Sequence, residues 1–147
     1  MKFYLAAPLF TPHERDLNLK ITKIIEANPN HEVFLPQRDG FLLTEEVKIG
    51  NDIHEIKEKI FQKDIRAIEN SDIIFAILNG RVVDEGVAFE MGYGCARGLN
   101  CWAYKNDWRQ LLESGDNPMI EGAINRRFDS LVEIENYFHT YISCKTV

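Results

Sequence analysis

Two carboxylates and the apolar residues around them are the part of this sequence best suited to chemistry. They lie in Val83-Asp84-Glu85-Gly86-Val87-Ala88-Phe89-Glu90-Met91-Gly92-Tyr93-Gly94. A helix beginning near Asp84 or Glu85 puts Val83, Val87, Met91 and Cys95 on one stripe, with Phe89, Glu90, Tyr93 and Gly94 beside it. Glu90 then falls within an apolar face, where a charged carboxylate has to be paired, protonated or used. Asp84 belongs at the helix start as an N-cap. Two differently solvated carboxylates at one helix entrance can divide nucleophilic and acid work between them. A structural reading accounts for the same residues, with Asp84 only capping the helix and Glu90 making a solvated edge contact. The local pattern leaves both readings open.

Such a site needs a scaffold, and the chain is long enough to supply one. Its 147 residues and 17.0 kDa suit one domain over 1–147 that buries a core without disulfides or metal. With 17 Lys and Arg against 23 Asp and Glu, net charge −6, no extended basic face is expected, which argues against polymeric nucleic acid as a partner. Cys95, Cys101 and Cys144 are odd in number and lack metal or Cys-x-x-Cys spacing, so they read as reduced residues of an intracellular protein, Cys95 and Cys101 within the core. No apolar run approaches the ~20 residues that span a bilayer. Met1-Lys2 leads into a strand-like run rather than a signal peptide, so a cytoplasmic protein without membrane association is expected. No GxGxxG, Walker A or HExxH sequence occurs, which removes dinucleotide, nucleoside triphosphate and common zinc-protease readings.

Strand and helix signals alternate along the chain. Lys2 to Ala7 reads as a short buried strand ending at Pro8. His13 to Ala27 has helix periodicity through Leu17, Ile21, Ile24 and Ile25, and Glu32 to Leu35 is a strand stopped by Pro36. Gln37 to Gly50 reads as a long loop of the lid or binding kind. Asp52 to Asn70 is the clearest helix, with Ile53, Ile56, Ile60, Ile65 and Ile68 along one stripe. Asp72 to Leu78 is apolar on both faces, as a central parallel strand is. After the Glu90 helix come a strand at Asn100 to Tyr104, an irregular stretch to Pro118, a short helix near Met119 to Ala123, a strand about Arg127 to Phe128 and a last helix from Ser130. This order predicts an α/β single-domain flavodoxin-like three-layer sandwich with a five-stranded parallel sheet. Ligands in such sheets lie beyond the carboxyl ends of the strands. The segments reaching that edge are Ala6 to Phe10, Pro36 to Gly40, Asn79 to Gly86 and Tyr104 to Pro118.

Four pieces in order carry a resemblance: Tyr4-Leu5-Ala6-Ala7-Pro8-Leu9-Phe10; Asp64 with Asp72; the Asp84 to Gly94 segment; and Asp116-Asn117-Pro118-Met119-Ile120-Glu121-Gly122-Ala123. Together they make the chain similar to the nucleoside 2-deoxyribosyltransferase family over nearly its whole length. The resemblance implies transfer of a 2-deoxyribosyl group between purine or pyrimidine bases, with 2'-deoxynucleosides and free bases as partners and no cofactor or metal. Glu90 aligns with the family nucleophile, a carboxylate able to trap an oxocarbenium-like anomeric carbon and to be displaced with net retention. Asp84 aligns with a carboxylate that assists proton exchange at the base, Asp64 with another active-site aspartate, and Tyr4 with a tyrosine that orients the nucleophile. Unaided, Asp64 reads as a solvated helix residue and Tyr4 as core. Phe10 and Gly86 are candidate substrate contacts. Asn117 and Met119 match a segment that, in the family, crosses a subunit interface to complete the neighbouring site, which implies a homo-oligomer with shared active sites. Ala7 stands where the family often has glycine. Gln37 and Arg38 offer themselves as base contacts, although a loop aligns poorly, and Trp102 and Trp108 read as packing residues.

Two other functions compete. A 2'-deoxynucleoside 5'-phosphate N-hydrolase would pass the glycosyl-enzyme to water, but Asp84 would repel a phosphomonoester and Asn117 stands where such enzymes tend to place serine. A catalytically silent nucleoside-binding domain would be stabilised by ligand without base exchange.

Overall fold

Every residue of Ile73–Ile77 is buried and apolar, and a strand with no wet face has to lie at the centre of a sheet covered on both sides. The computed structural model describes residues 1–109 and 115–143 and puts that strand, β3, in the middle. In chain order the elements are β1 (Lys2–Ala6), α1 (Pro12–Glu26), β2 (Glu32–Phe34), α2 (Pro36–Asp39), α3 (Leu43–Lys48), α4 (Ile53–Glu69), β3 (Ile73–Ile77), α5 (Glu85–Ala96), β4 (Asn100–Tyr104), α6 (Pro118–Ala123), β5 (Ile124–Phe128) and α7 (Leu131–Ser143). The sheet order is β2-β1-β3-β4-β5 and each neighbouring pair is parallel. This is the α/β single-domain flavodoxin-like order expected from the alternation of signals. Cys144 lies outside the described residues.

Side chains alternate across each strand, so β1 sends Phe3 and Leu5 to one face and Tyr4 and Ala6 to the other. On the first face they join Ile21 and Ile25 of α1 and Ile134 and Phe138 of α7. On the second they meet Ile68 of α4 and Val87 and Met91 of α5. Register pairs Tyr4 with Ile74 and Ala6 with Ala76, and Ala76 with Ala103. That row of alanines leaves room for α5 to settle on the sheet. Gly94 lets it come closer still, since a Cβ there would stand 2.6 Å from Ile74 Cγ1.

Several local expectations are corrected. Cys95 is exposed, not core, because the inward residues of α5 are Val87, Met91 and Gly94. Gln37 to Gly50 is not one open loop but holds α2 and α3, helices too short to carry a periodic signal. Trp102 packs in the core while Trp108 is 89% exposed, so the packing expectation fails for the second tryptophan. The strand expected about Arg127 to Phe128 begins three residues earlier, at Ile124. The isoleucine stripe of α4 divides, with Ile56 and Ile68 buried and Ile60 and Ile65 lining a cleft. None of the described helices is long and apolar enough to cross a membrane.

Candidate active site

The cleft has a volume of about 560 Å³ and opens between the end of β1, the α2–α3 segment, α4 and the start of α5. Asp84 caps α5, its Oδ1 accepting from Gly86 N at 3.0 Å and Val87 N at 3.2 Å. Asp84, Gly86, Val87 and Glu90 share this wall, as three- and four-residue spacings on a helix require. From α4 the cleft receives Lys57, Ile60, Phe61, Asp64 and Ile65. Phe10, on the turn after β1, also lines it and is 72% exposed.

Tyr4 is fully buried, and its hydroxyl donates to Glu90 Oε1 at 2.5 Å. Period two along β1 aims this side chain at α5, and residue 90 is one turn past Gly86, so strand and helix deliver the two groups to one point. Burial pushes the Glu90 carboxyl up to about 8; the Tyr4 hydrogen bond opposes that, and the charges of Asp64 and Asp84 add to it. Burial raises the Asp64 carboxyl to about 6, against the pull of the Lys63 ammonium. The Tyr4 phenol is held far above its ordinary range by burial first and then by the charges of Glu90 and Asp64. It therefore stays protonated and remains a donor to Glu90 at any working pH.

Glu90, Asp64, Asp84, Phe10 and Gly86 thus line one cleft, with Tyr4 behind Glu90. Asn117 and Met119 do not reach it. They line a second cleft of about 520 Å³ on the other side of α5, with Val83, Ala88 and Met91, and Met119 is 82% exposed there. Gln37 and Arg38, offered by the sequence as base contacts, are engaged elsewhere. Gln37 bridges Asn18 and the Arg15 carbonyl, and Arg38 pairs with Glu26 and Asp39. The apolar wall comes instead from Phe41, Leu43, Phe61 and Phe89, with Phe61 and Phe89 ring centroids 6.2 Å apart. Sequence reasoning passed these over. The signal was spacing: Lys57, Phe61, Asp64 and Ile68 fall on one face of α4.

A carboxylate held by a neutral hydroxyl in a mostly apolar cleft, with two further carboxylates near it, can attack an electron-poor carbon and pass protons to a leaving group. Among the described residues no group of three or more His, Cys, Asp and Glu side chains is arranged to hold a metal ion.

Residues 3–136 match the family model described as nucleoside 2-deoxyribosyltransferase. A search of curated proteins finds no match. Among solved structures, a 2-deoxyribosyltransferase from Bacillus psychrosaccharolyticus is 26% identical, with 93% of this chain and 92% of that one covered and a TM-score of 0.75. A 2-desoxiribosyltransferase from Leishmania mexicana is 21% identical, with 95% and 97% covered and a TM-score of 0.65. A CMP N-glycosidase from Clostridium botulinum is 15% identical, with 98% and 99% covered and a TM-score of 0.56. The last two likenesses are of fold.

Proposed function

Because the chain belongs to the nucleoside 2-deoxyribosyltransferase family, we propose that it moves a 2-deoxyribosyl group from one purine or pyrimidine base to another through a covalent ester on Glu90. The observation that carries this reading is the 2.5 Å hydrogen bond from Tyr4 to Glu90 in the wall of an apolar cleft. Oε1 is tethered by the phenol, and Oε2 makes no hydrogen bond among the described residues.

In this reaction the Glu90 carboxylate bonds to the anomeric carbon as the N-glycosidic bond breaks. The electron pair of that bond leaves with the base, which takes up a proton. Asp84 is the proposed acid, since only its Oδ1 serves the helix cap. A second base then attacks the same carbon from the face the first one left, its ring N–H proton returns to Asp84, Glu90 departs as carboxylate, and two inversions give net retention. Asp64 is the proposed acceptor for a polar hydrogen of the substrate, and Phe10, Phe41 and Phe61 offer apolar surface to sugar and base. A 2-deoxy sugar lacks the hydroxyl that would withdraw electrons beside the anomeric carbon, so the charge developing there costs less.

Asn117 and Met119 enter this reading through a second subunit, since in their own chain they stand across α5 from Glu90. A homo-oligomer is therefore part of the proposal. The cleft holds Asp64, Asp84 and Glu90 against one cation, Lys57, a balance that favours a neutral nucleoside over a 5'-phosphorylated one.

The test is incubation with a 2'-deoxynucleoside and a different free base, followed by chromatography for the exchanged nucleoside. Exchange is expected, and it should vanish in Glu90→Ala while the circular dichroism of the protein is unchanged. Release of base without exchange, faster from a deoxynucleoside 5'-monophosphate than from the nucleoside, would establish the hydrolase instead. Exchange by Glu90→Ala at the unaltered rate would move the nucleophile to another residue.

A further inference from the structure

Lys105 follows β4 directly, and its backbone N–H donates to the Phe128 carbonyl at 3.0 Å, which extends the sheet by one rung toward β5. Its side chain is buried, the residue being 5% exposed. An ammonium in that position needs an anion, and its Nζ is hydrogen-bonded to Oδ1 of Asp116, itself 9% exposed. Arg127 Nη1 stands 3.8 Å from the other oxygen, Asp116 Oδ2.

Asp116 is the residue before Asn117, and the whole corner is tied down around it. The Asp116 N–H donates to Glu121 Oε1 at 3.0 Å. Asn117 Oδ1 accepts from Met119 N at 2.9 Å, capping α6. Gly115 has φ +127°, and a Cβ on it would stand 2.5 Å from the same Glu121 oxygen, so the chain can turn into the corner only as glycine. Charges from the end of β4 and from β5 therefore grip the residue just before the cap of a short helix whose own Met119 is 82% exposed.

A buried ion pair is a poor source of net stability, because desolvating both ions offsets most of their attraction. It does fix geometry, since a carboxylate between an ammonium and a guanidinium has few positions open to it. We propose that Lys105 is a positioning residue, whose buried pair with Asp116 fixes the corner that presents Asn117 and Met119 to the active site of a neighbouring subunit. This rests on the proposed base exchange and on that corner acting in the second subunit. Lys105 touches no substrate; it acts through Asp116.

The experiment is active-site complementation in the full-length protein. Lys105→Met, Asn117→Ala and Glu90→Ala are each assayed for base exchange alone. Lys105→Met and Asn117→Ala are then each co-produced with Glu90→Ala under different tags, and mixed dimers are purified. Lys105→Met alone should lose at least tenfold in kcat/KM while remaining folded, and Lys105→Arg should recover part of that. In a dimer mixed with Glu90→Ala, the intact corner of the Glu90→Ala chain serves the intact Glu90 of its partner. Exchange should then return to about half the wild-type rate, one of two equivalent sites being complete.

A merely structural role of Lys105 would give no such return, because the damage would stay with its own chain. Wild-type exchange by Lys105→Met overturns the proposal. So does a loss that Glu90→Ala does not restore while Asn117→Ala is restored. If Asn117→Ala is not restored either, the shared-site reading itself has failed and the proposal falls with it. Should Lys105→Met not fold, Asp116→Asn removes the charge from the same pair and is judged by the same outcomes.

Discussion

Tyr4 is wholly buried, so its hydroxyl has to find a partner, and the one it finds is the carboxylate proposed as nucleophile. The hydrogen bond stabilises the ionised form of Glu90 against burial, which otherwise pushes that carboxyl up to about 8. Tyr4→Phe removes the stabilising donor. The Glu90 carboxyl should rise further, the fraction ionised at neutral pH should fall, and the acidic limb of kcat/KM should move to higher pH. A loss of about 10- to 100-fold at pH 7 is expected, shrinking as pH increases, and a pH profile of base exchange checks it. An unmoved limb would mean that Tyr4 is only core. Asp84 is separated from its structural role by a different comparison. Asparagine caps a helix as well as aspartate does, whereas alanine costs about 1 kcal/mol. Asp84→Asn should therefore unfold within ~0.5 kcal/mol of wild type yet lose exchange, and Asp84→Ala should lose both. Full activity in Asp84→Asn would reduce Asp84 to a cap. The sequence made Glu90 and Asp84 visible because a carboxylate in an apolar helical stripe conflicts with its surroundings. Phe61 and Phe89 carried no such conflict, since an aromatic on a helix is unremarkable until the facing wall of a cleft is known.

At the scale of elements, the parallel order β2-β1-β3-β4-β5 was legible because β3 is apolar on both faces and strand and helix signals alternate. Close approach between elements was not, because it depends on which atoms face each other. Gly94 illustrates this. By helix propensity alone, alanine would be better there by up to ~1 kcal/mol. The added Cβ would instead stand 2.6 Å from Cγ1 of Ile74, a fully buried residue, and overpacking of this kind costs about 1–3 kcal/mol. Gly94→Ala should be destabilised by up to about 2 kcal/mol net, as measured by urea unfolding. Ile74 is the register partner of Tyr4, so a helix lifted at Gly94 also shifts Glu90 relative to its phenol. Exchange activity should drop along with stability. A stabilised Gly94→Ala would show that α5 has room to move. The α2–α3 segment escaped notice for another reason. Helices of four and six residues hold too few turns to show a period, and their place beside the cleft follows only from folding against α4.

For the molecule as a whole, the site costs stability, and the sign of that cost with pH follows from the direction of the Glu90 shift. Unfolding returns the carboxyl from about 8 to its ordinary 4.5. Between those values the folded chain holds a proton that the unfolded chain has released. Stability from this group is therefore fully present below about 4.5, declines as pH rises through the interval, and is gone above about 8. Asp64, raised to about 6, works in the same direction over a narrower interval. Glu90→Gln keeps an oxygen for the Tyr4 hydroxyl and removes the ionisation. The variant should match wild type near pH 4.5 and become progressively more stable than it, by roughly 4 kcal/mol at pH 8. Thermal unfolding of both proteins across that range, with exchange assayed in parallel, provides the check. The expected result is a more stable and inactive protein whose advantage grows with pH. A constant difference would mean that Glu90 titrates alike in the folded and unfolded chains, which its burial against Tyr4 is expected to prevent, and it would remove the physical reason for regarding this carboxylate as poised rather than merely placed.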